Sequence, residues 1–313
     1  MNNKVVFFGT PEFAVHSLNE IYKSNFILQC VVTNPDKKSG RGRKKRMSAV
    51  KEFCVKNNIK TLQPQSFTEN TFISELKLFK ADVFVVVAFK KLPKLVWEIP
   101  TLGTINLHAS ILPNYRGAAP INWAIIDQQD ETGITTFYIN DKIDCGKIIL
   151  IKKVKIDKYE TYDSLENKMI LTSKKVIISS LNEVKKGNLG YKQPFIKNLS
   201  FAPKLNRDNT RIYWSDPLRK IDSTIRGLSS HPGAWTELMG DNRKIMIKIF
   251  KASIKFSSNE SNSENLLLLR GKIVITHYEG ILVCHEIQIP NKKRMSSIEI
   301  LNGNHLRAFF RVK

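Results

Sequence analysis

The stretch Lys4–Tyr22, KVVFFGTPEFAVHSLNEIY, sets the reading of the fold. Its first six residues, Lys4–Gly9, make a short apolar strand. Thr10-Pro11 then suits the N-cap and first position of a helix in which Ala14, Leu18, Ile21 and Tyr22 share one face. A strand that turns at once into an amphipathic helix is a β–α opening.

Further along, Phe26–Thr33 reads as a second strand, and Val83–Ala88 and Thr104–Leu107 continue the alternation of strand and helix. The expected class is α/β: a Rossmann-like, mostly parallel sheet with flanking helices. The first turn lacks Gly-x-Gly-x-x-Gly, so a dinucleotide is not expected. Thr161–Lys186 is a helix with a buried stripe of Leu165, Met169, Val176, Ile177, Leu181 and Val184, stopped by Lys185-Lys186-Gly187. From Gly187 the pattern breaks into Gly, Asn, Lys and Pro. This predicts a first domain over 1–187, a basic linker over 188–207 that touches RNA, and a second domain over 208–313. After a helix near Leu218–Leu228, strands at Lys244–Phe250, Leu266–Leu269, Gly271–Thr276 and Gly280–Ile287 predict a small C-terminal β-barrel of OB-like type.

Bulk properties narrow the function. The 313 residues carry 50 Lys+Arg against 28 Asp+Glu, a formal net charge of +22, which favours a polyanionic partner. No apolar run reaches the roughly 20 residues of a spanning helix, and the first strand begins at Lys4, so no membrane association and a cytoplasmic location are expected. Cys30, Cys54, Cys145 and Cys284 form no Cys-x-x-Cys pair, which predicts neither a disulfide framework nor a structural zinc. Nothing requires more than a monomer. The charge is concentrated in Lys37–Arg46, KKSGRGRKKR, where seven of ten residues are basic. Such a run cannot enter a core. Gly40 and Gly42 leave the backbone free to follow a phosphate chain, so we expect a loop that orders on RNA rather than a merely solvated one.

The chemistry is concentrated in Thr104–Gly146. Asn106 and His108 alternate on one strand and face the same side, at the carboxyl end where ligands of such sheets bind. Asp141 and Asp144 follow a later strand, Gly133–Ile139. An amide donor, an imidazole and a carboxylate would suit acyl transfer to an amine. By residue type alone, a satisfied strand-end histidine and a turn aspartate are the better fit, and although Cys145 with His108 could furnish a hydrolase, Cys145 is read as incidental.

The wording of the motif goes further. Asn106-Leu107-His108, Ser110-Ile111-Leu112-Pro113, Arg116-Gly117-Ala118-Ala119-Pro120-Ile121 and Asp144 with Gly146 resemble the folate-dependent formyltransferases, most closely the branch acting on initiator methionyl-tRNA. The opening FFGTPEFA and the ending around Lys292–Met295 and Leu301–Gly303 extend the likeness over nearly the whole chain. The resemblance implies transfer of a formyl group from 10-formyltetrahydrofolate, without a metal, to the α-amine of methionyl initiator tRNA. It assigns catalysis to Asn106, His108 and Asp144. It assigns cofactor contacts to Ala88, Phe89, Ser110, Leu112, Pro113, Gly117 and Asp141. It assigns tRNA contacts to Arg41, Gly42, Arg43, Lys44, Lys45 and Arg46. One departure is visible: where the family has Ala-Tyr-Gly, this chain has Ala88-Phe89-Lys90, and a lysine replacing a left-handed glycine would carry about 1–2 kcal/mol of strain. A formyltransferase or formyl-folate hydrolase for small molecules, and an RNA-binding protein with a decayed pocket, are the rival readings.

Overall fold

The computed structural model describes residues 3–39, 44–240, 243–257, 265–269 and 271–312. From the N-terminus the chain runs β1 (Lys4–Gly9), α1 (Glu12–Lys23), β2 (Ile27–Val32), β3 (Lys37–Ser39), β4 (Lys44–Arg46), α2 (Ala49–Lys56), β5 (Thr61–Leu62), α3 (Asn70–Leu78), β6 (Val83–Val87), α4 (Lys94–Trp97) and β7 (Thr104–His108). It continues through β8 (Arg116–Gly117), α5 (Pro120–Ile126), β9 (Glu131–Tyr138), β10 (Ile148–Lys155), α6 (Tyr162–Lys185) and β11 (Phe201–Ala202). The last third holds α7 (Leu218–Gly227), β12 (Ala234–Met239), β13 (Lys244–Phe256), β14 (Leu266–Leu269), β15 (Lys272–His277), β16 (Gly280–Gln288), β17 (Met295–Ser296), α8 (Ser297–Asn302) and β18 (Arg311–Val312).

The first sheet has the order β10-β9-β7-β6-β1-β2-β5. β1 runs parallel to β2 and β6, and β6 parallel to β7, whereas β9 is antiparallel to β7. Val5–Phe8 and Val83–Val87 are buried throughout, as strands covered on both faces must be, which makes the run apolar without alternation. The register aligns Gly9 with Val87 and Val87 with Leu107, so the strand ends at Gly9, Val87 and His108 form one carboxyl edge. At that edge Thr10 is not the helix cap. Its hydroxyl accepts from Asn34 Nδ2 at 3.0 Å, and Pro11 takes the N-cap position of α1 instead. Tyr22, expected on the buried face of α1, stays 44% exposed and packs edge-on against Phe53.

The second sheet, β14-β15-β16-β13-β12-β18, is antiparallel where β15, β16, β13, β12 and β18 meet. Leu266 N donates to Phe310 O at 2.8 Å, so its first strand meets the segment leading into its last and the sheet nearly closes into the expected barrel. Two elements depart from expectation. β12 occupies a stretch to which the sequence assigns no element, and β13 extends to Phe256 because register shifts around Lys251 let one long strand bend round the barrel. Leu238, Ile247, Ile249, Ile273, Ile275, Leu282 and Ile287 fill the interior.

The compact units do not follow chain order. One comprises Met1–Gly117, Thr132–Val154 and Asn167–Phe201; the other comprises Ala118–Glu131, Lys155–Glu166 and Ala202–Lys313. Ala118–Glu131 joins the second unit through the pairing of α5 with α7. Asn122 Nδ2 donates to Gly227 O at 2.8 Å, while Lys220 Nζ and Ser223 Oγ both donate to Ile126 O at 3.0 Å. Those two donors satisfy a carbonyl at the end of α5 that has no partner within its own helix. Gly227 permits the approach, since a Cβ there would lie 2.7 Å from Ile126.

Candidate active site

β7 lies between β6 and β9, with Asn106 opposite Val86 on one side and Phe137 on the other. Side-chain alternation brings Asn106 and His108 to the same face. The Asn106 amide is half-buried and takes no hydrogen bond among the described residues, so both its N–H groups remain for a ligand. His108 is buried, and its Nε2 lies 2.8 Å from the Tyr115 carbonyl oxygen. A carbonyl can only accept, so Nε2 carries a proton, and in the neutral ring Nδ1 presents a lone pair.

The loop that supplies this carbonyl is rigidly hung. Thr135 Oγ1 donates to Ser110 O at 2.7 Å and accepts from Leu112 N at 3.2 Å; Ser110 Oγ donates to Asn114 O at 2.7 Å. Tyr115, at φ 59°, turns its carbonyl toward His108 while its N–H donates to Ser200 O at 2.7 Å. Leu112 and Pro113 are buried, Leu112 against Phe137 and Ile148. Ser110 and Leu112 thus shape the loop, and their side chains offer no free polar atom to a ligand.

Asp144 comes from the turn after β9. Its Oδ2 accepts from Gly117 N at 3.0 Å and stands 3.9 Å from His108 Nδ1, too far for a direct hydrogen bond. The direct hydrogen bond that orients His108 is the one to Tyr115, and Asp144 lies beside the ring without one. A single nitrogen placed beside this pair, about 2.8 Å from each atom, could hydrogen-bond to both. Asp144 sits at φ 52°, and the turn is fixed by Gln193, whose Nε2 donates to Asp144 O at 2.8 Å and Gly146 O at 2.9 Å. Gln193 is oriented in turn by Arg116 Nη2, which donates to its Oε1 at 2.5 Å. Sequence reasoning gives Gln193 no role. It lies 49 residues from Asp144 in a segment that reads as linker, and nothing local marks it.

The other expected site residues are distributed unevenly. Ala88 is exposed at φ 47° directly after β6, while Phe89 turns inward against Phe8 and Phe67, at ring-centroid distances of 5.8 and 5.6 Å. Lys90 is exposed and is not left-handed; the strain expected there is absent because Ala88 makes the turn. Asp141 is exposed in the loop before Asp144, and no contact joins it to His108. Arg41, Gly42 and Arg43 lie outside the described residues. Lys44, Lys45 and Arg46 belong to β4, which pairs antiparallel with β3, so the arms of the basic run are a hairpin rather than an irregular loop. Its register sets Lys37 directly opposite Arg46. Like charges so placed repel unless an anion lies between or beside them.

Residues 3–181 match the Formyl transferase family and residues 204–305 match the Formyl transferase C-terminal domain. The chain is 42% identical to the methionyl-tRNA formyltransferase of Flavobacterium johnsoniae, over 96% of each chain. It is 37% identical to that of Clostridioides difficile, over 96% of this chain and 97% of the relative. Among solved structures it resembles HypX from Aquifex aeolicus in complex with tetrahydrofolic acid, with a TM-score of 0.66 and 17% identity over 97% of this chain and 47% of that one. It also resembles WlaRD, a sugar 3N-formyl transferase solved with dTDP and 5-N-formyl-THF, with a TM-score of 0.64 and 20% identity over 94% of this chain and 100% of that one. At these identities the structural likeness speaks for the fold.

Proposed function

The chain belongs to the formyltransferase family and transfers a formyl group to the amine of methionyl initiator tRNA, and we propose that Asn106, His108 and Asp144 carry that reaction, with 10-formyltetrahydrofolate as donor. The observation that carries the reading is the opposition of His108 Nδ1 and Asp144 Oδ2 at 3.9 Å, with Nε2 tied to a carbonyl. An incoming ammonium group finds a carboxylate on one side and a lone pair on the other. Asp144 attracts and orients it; His108 Nδ1 takes a proton and leaves a neutral nucleophile. His108 can return that proton to the departing nitrogen as its bond to the formyl carbon breaks, while the second proton of the attacking nitrogen is released to solvent as the amide forms. Asn106, its amide unengaged, donates to the carbonyl oxygen on which negative charge develops. General acid–base help of this kind is worth about 10²–10⁴ in rate.

The residues present fit a folate. Ala88 leaves its backbone open at the carboxyl edge, Phe89 keeps its ring in the core, and Lys90 points to solvent, so a planar ring can approach main-chain groups without a side chain in its way. When bound, the cofactor supplies an electrophilic formyl carbon. Gly117 and Asp144 join through their hydrogen bond to form one wall, and the exposed Asp141 is the outermost of the proposed contacts. The β3–β4 hairpin would take the acceptor end of the tRNA, with Arg41–Arg46 on its phosphates. We read the protein as a monomer acting in the cytoplasm, where its tRNA substrate is used.

The test is formyl transfer from 10-formyltetrahydrofolate to methionyl initiator tRNA by the unaltered chain and by His108→Ala, Asn106→Ala and Asp144→Asn. Each variant should lose at least about 10²-fold in kcat. A His108→Ala protein with unaltered kcat would remove the imidazole from the mechanism.

A further inference from the structure

Residues 188–200 form neither helix nor extended strand, yet they are tied to the loops that build the active site at Asn188, Tyr191 and Gln193 and again at Ser200. Tyr138 Oη donates to Asn188 O at 2.6 Å, and Tyr191 exchanges backbone hydrogen bonds of 2.8 and 2.9 Å with Ile148. Gln193 holds the carbonyls of Asp144 and Gly146, and Ser200 O accepts from Tyr115 N, the residue whose carbonyl fixes His108. A segment held this firmly could have buried its apolar side chains. Instead Phe195 is 93% exposed and Tyr191 53% exposed, with Lys192 and Lys197 exposed between and beyond them. Neither ring stacks on another aromatic or cation among the described residues.

Exposed aromatics on a segment tethered on both sides, interleaved with cations, are the composition that binds unpaired nucleic acid: bases stack on rings and phosphates meet ammonium groups. Charge and position both point to that occupant. The substrate's reacting amine must reach His108 and Asp144, so the nucleotides nearest it must pass beside the 144–146 turn, against which Gln193 holds this strip. We propose that Tyr191–Lys197 is the platform on which the unpaired 3′ nucleotides of the substrate RNA lie, with Phe195 and Tyr191 stacking on bases and Lys192 and Lys197 on phosphates. The proposal rests on the tRNA reading above and adds to it the residues that hold the single-stranded end.

The experiment has two arms. In the first, KM and kcat for methionyl-tRNA are measured for Phe195→Ala, Tyr191→Ala, Phe195→Leu and Phe195→Trp. In the second, binding of a four-nucleotide RNA ending in CCA is followed by calorimetry on the same proteins. Alanine should raise KM, and weaken the oligonucleotide, between about 5- and 150-fold per ring while kcat changes less than about twofold. Tryptophan should restore both, and leucine should not. Lys192→Ala with Lys197→Ala should flatten the slope of log affinity against log salt by about 1.4, the share of two single-strand phosphates no longer met by a cation. Unchanged binding of the oligonucleotide by Phe195→Ala overturns the proposal, even in a protein that transfers formyl groups. Full rescue by leucine also overturns it, as does Phe195→Ala converting a dimer to a monomer, because the patch would then serve a generic apolar contact or a second copy of the chain. Failure of the unaltered protein to formylate methionyl-tRNA, with the oligonucleotide still bound and released on Phe195→Ala, sinks the catalytic reading and leaves the platform standing.

Discussion

Gly146→Ala should separate catalysis from folding. A Cβ at this position would lie 1.5 Å from the Tyr138 carbonyl oxygen and 2.8 Å from its carbon, against about 3.4 Å for ordinary contact. The turn must therefore move by about 2 Å, because the obstacle is backbone in a strand and cannot rotate away. Asp144 is two residues upstream, and its Oδ2 contact to Gly117 N has little slack at 3.0 Å. Misplacing a reacting group by about 1 Å costs on the order of 10²-fold. We expect kcat/KM to fall by at least about 10²-fold, equivalent to about 2.7 kcal/mol of transition-state stabilisation. Overpacking should lower stability by about 1–3 kcal/mol, within the margin of an ordinary domain. The assay is initial-rate formylation beside a thermal melt. Two companions fix the interpretation: Cys145→Ser, which changes only a thiol donating to Ile143 O at 3.1 Å, should keep activity within about threefold, and Gln193→Ala, which frees the same turn without a clash, should lose about tenfold. Full activity in Gly146→Ala would refute the claim that the turn positions Asp144.

Two further outcomes are expected. Replacing Lys37–Arg46 with a Gly/Ser segment should raise KM for tRNA at least about tenfold and reduce its salt dependence by about one unit for each duplex phosphate that the hairpin had neutralised; unchanged KM at 50 and 200 mM salt would deny the hairpin its role. Burial pushes the Cys30 and Cys284 thiols from 9.0 up to about 12. Because the folded state holds these protons more tightly than the unfolded chain, this stabilisation is complete below pH 9 and is lost as pH rises toward 12. The urea midpoint should therefore fall through that interval, and less steeply in Cys30→Ala with Cys284→Ala; parallel curves would contradict the assignment.

The parallel sheet was legible because β1 and β6 are apolar throughout, and α6 because its stripe keeps helical spacing over six turns. Asn106 and His108 were legible as a pair because strand alternation needs only two residues of separation. What escaped depends on distant contacts. Thr10 looks like a helix cap until Asn34 claims its hydroxyl, and Lys90 looks strained until Ala88 is seen to make the turn. Gln193 acquires meaning only when chain segments 49 and 77 residues away come to its two ends. The basic run announced its charge but not its hairpin, since β3 and β4 contain nothing that favours strands over a solvated loop.

The marriage of α5 to α7 has a bearing on how the protein is made. About 90 residues separate the end of one helix from the start of the other. At the usual speed of synthesis, roughly 5–20 residues per second, Ile126 and the Asn122 amide wait about 5–20 s for the helix that covers them. During that interval the nascent chain carries an apolar helix with no place to go, immediately downstream of the loop that sets His108. The unit that holds α5 cannot be finished until α7 has been made, and a chain interrupted before Leu218 would be a natural client for chaperones.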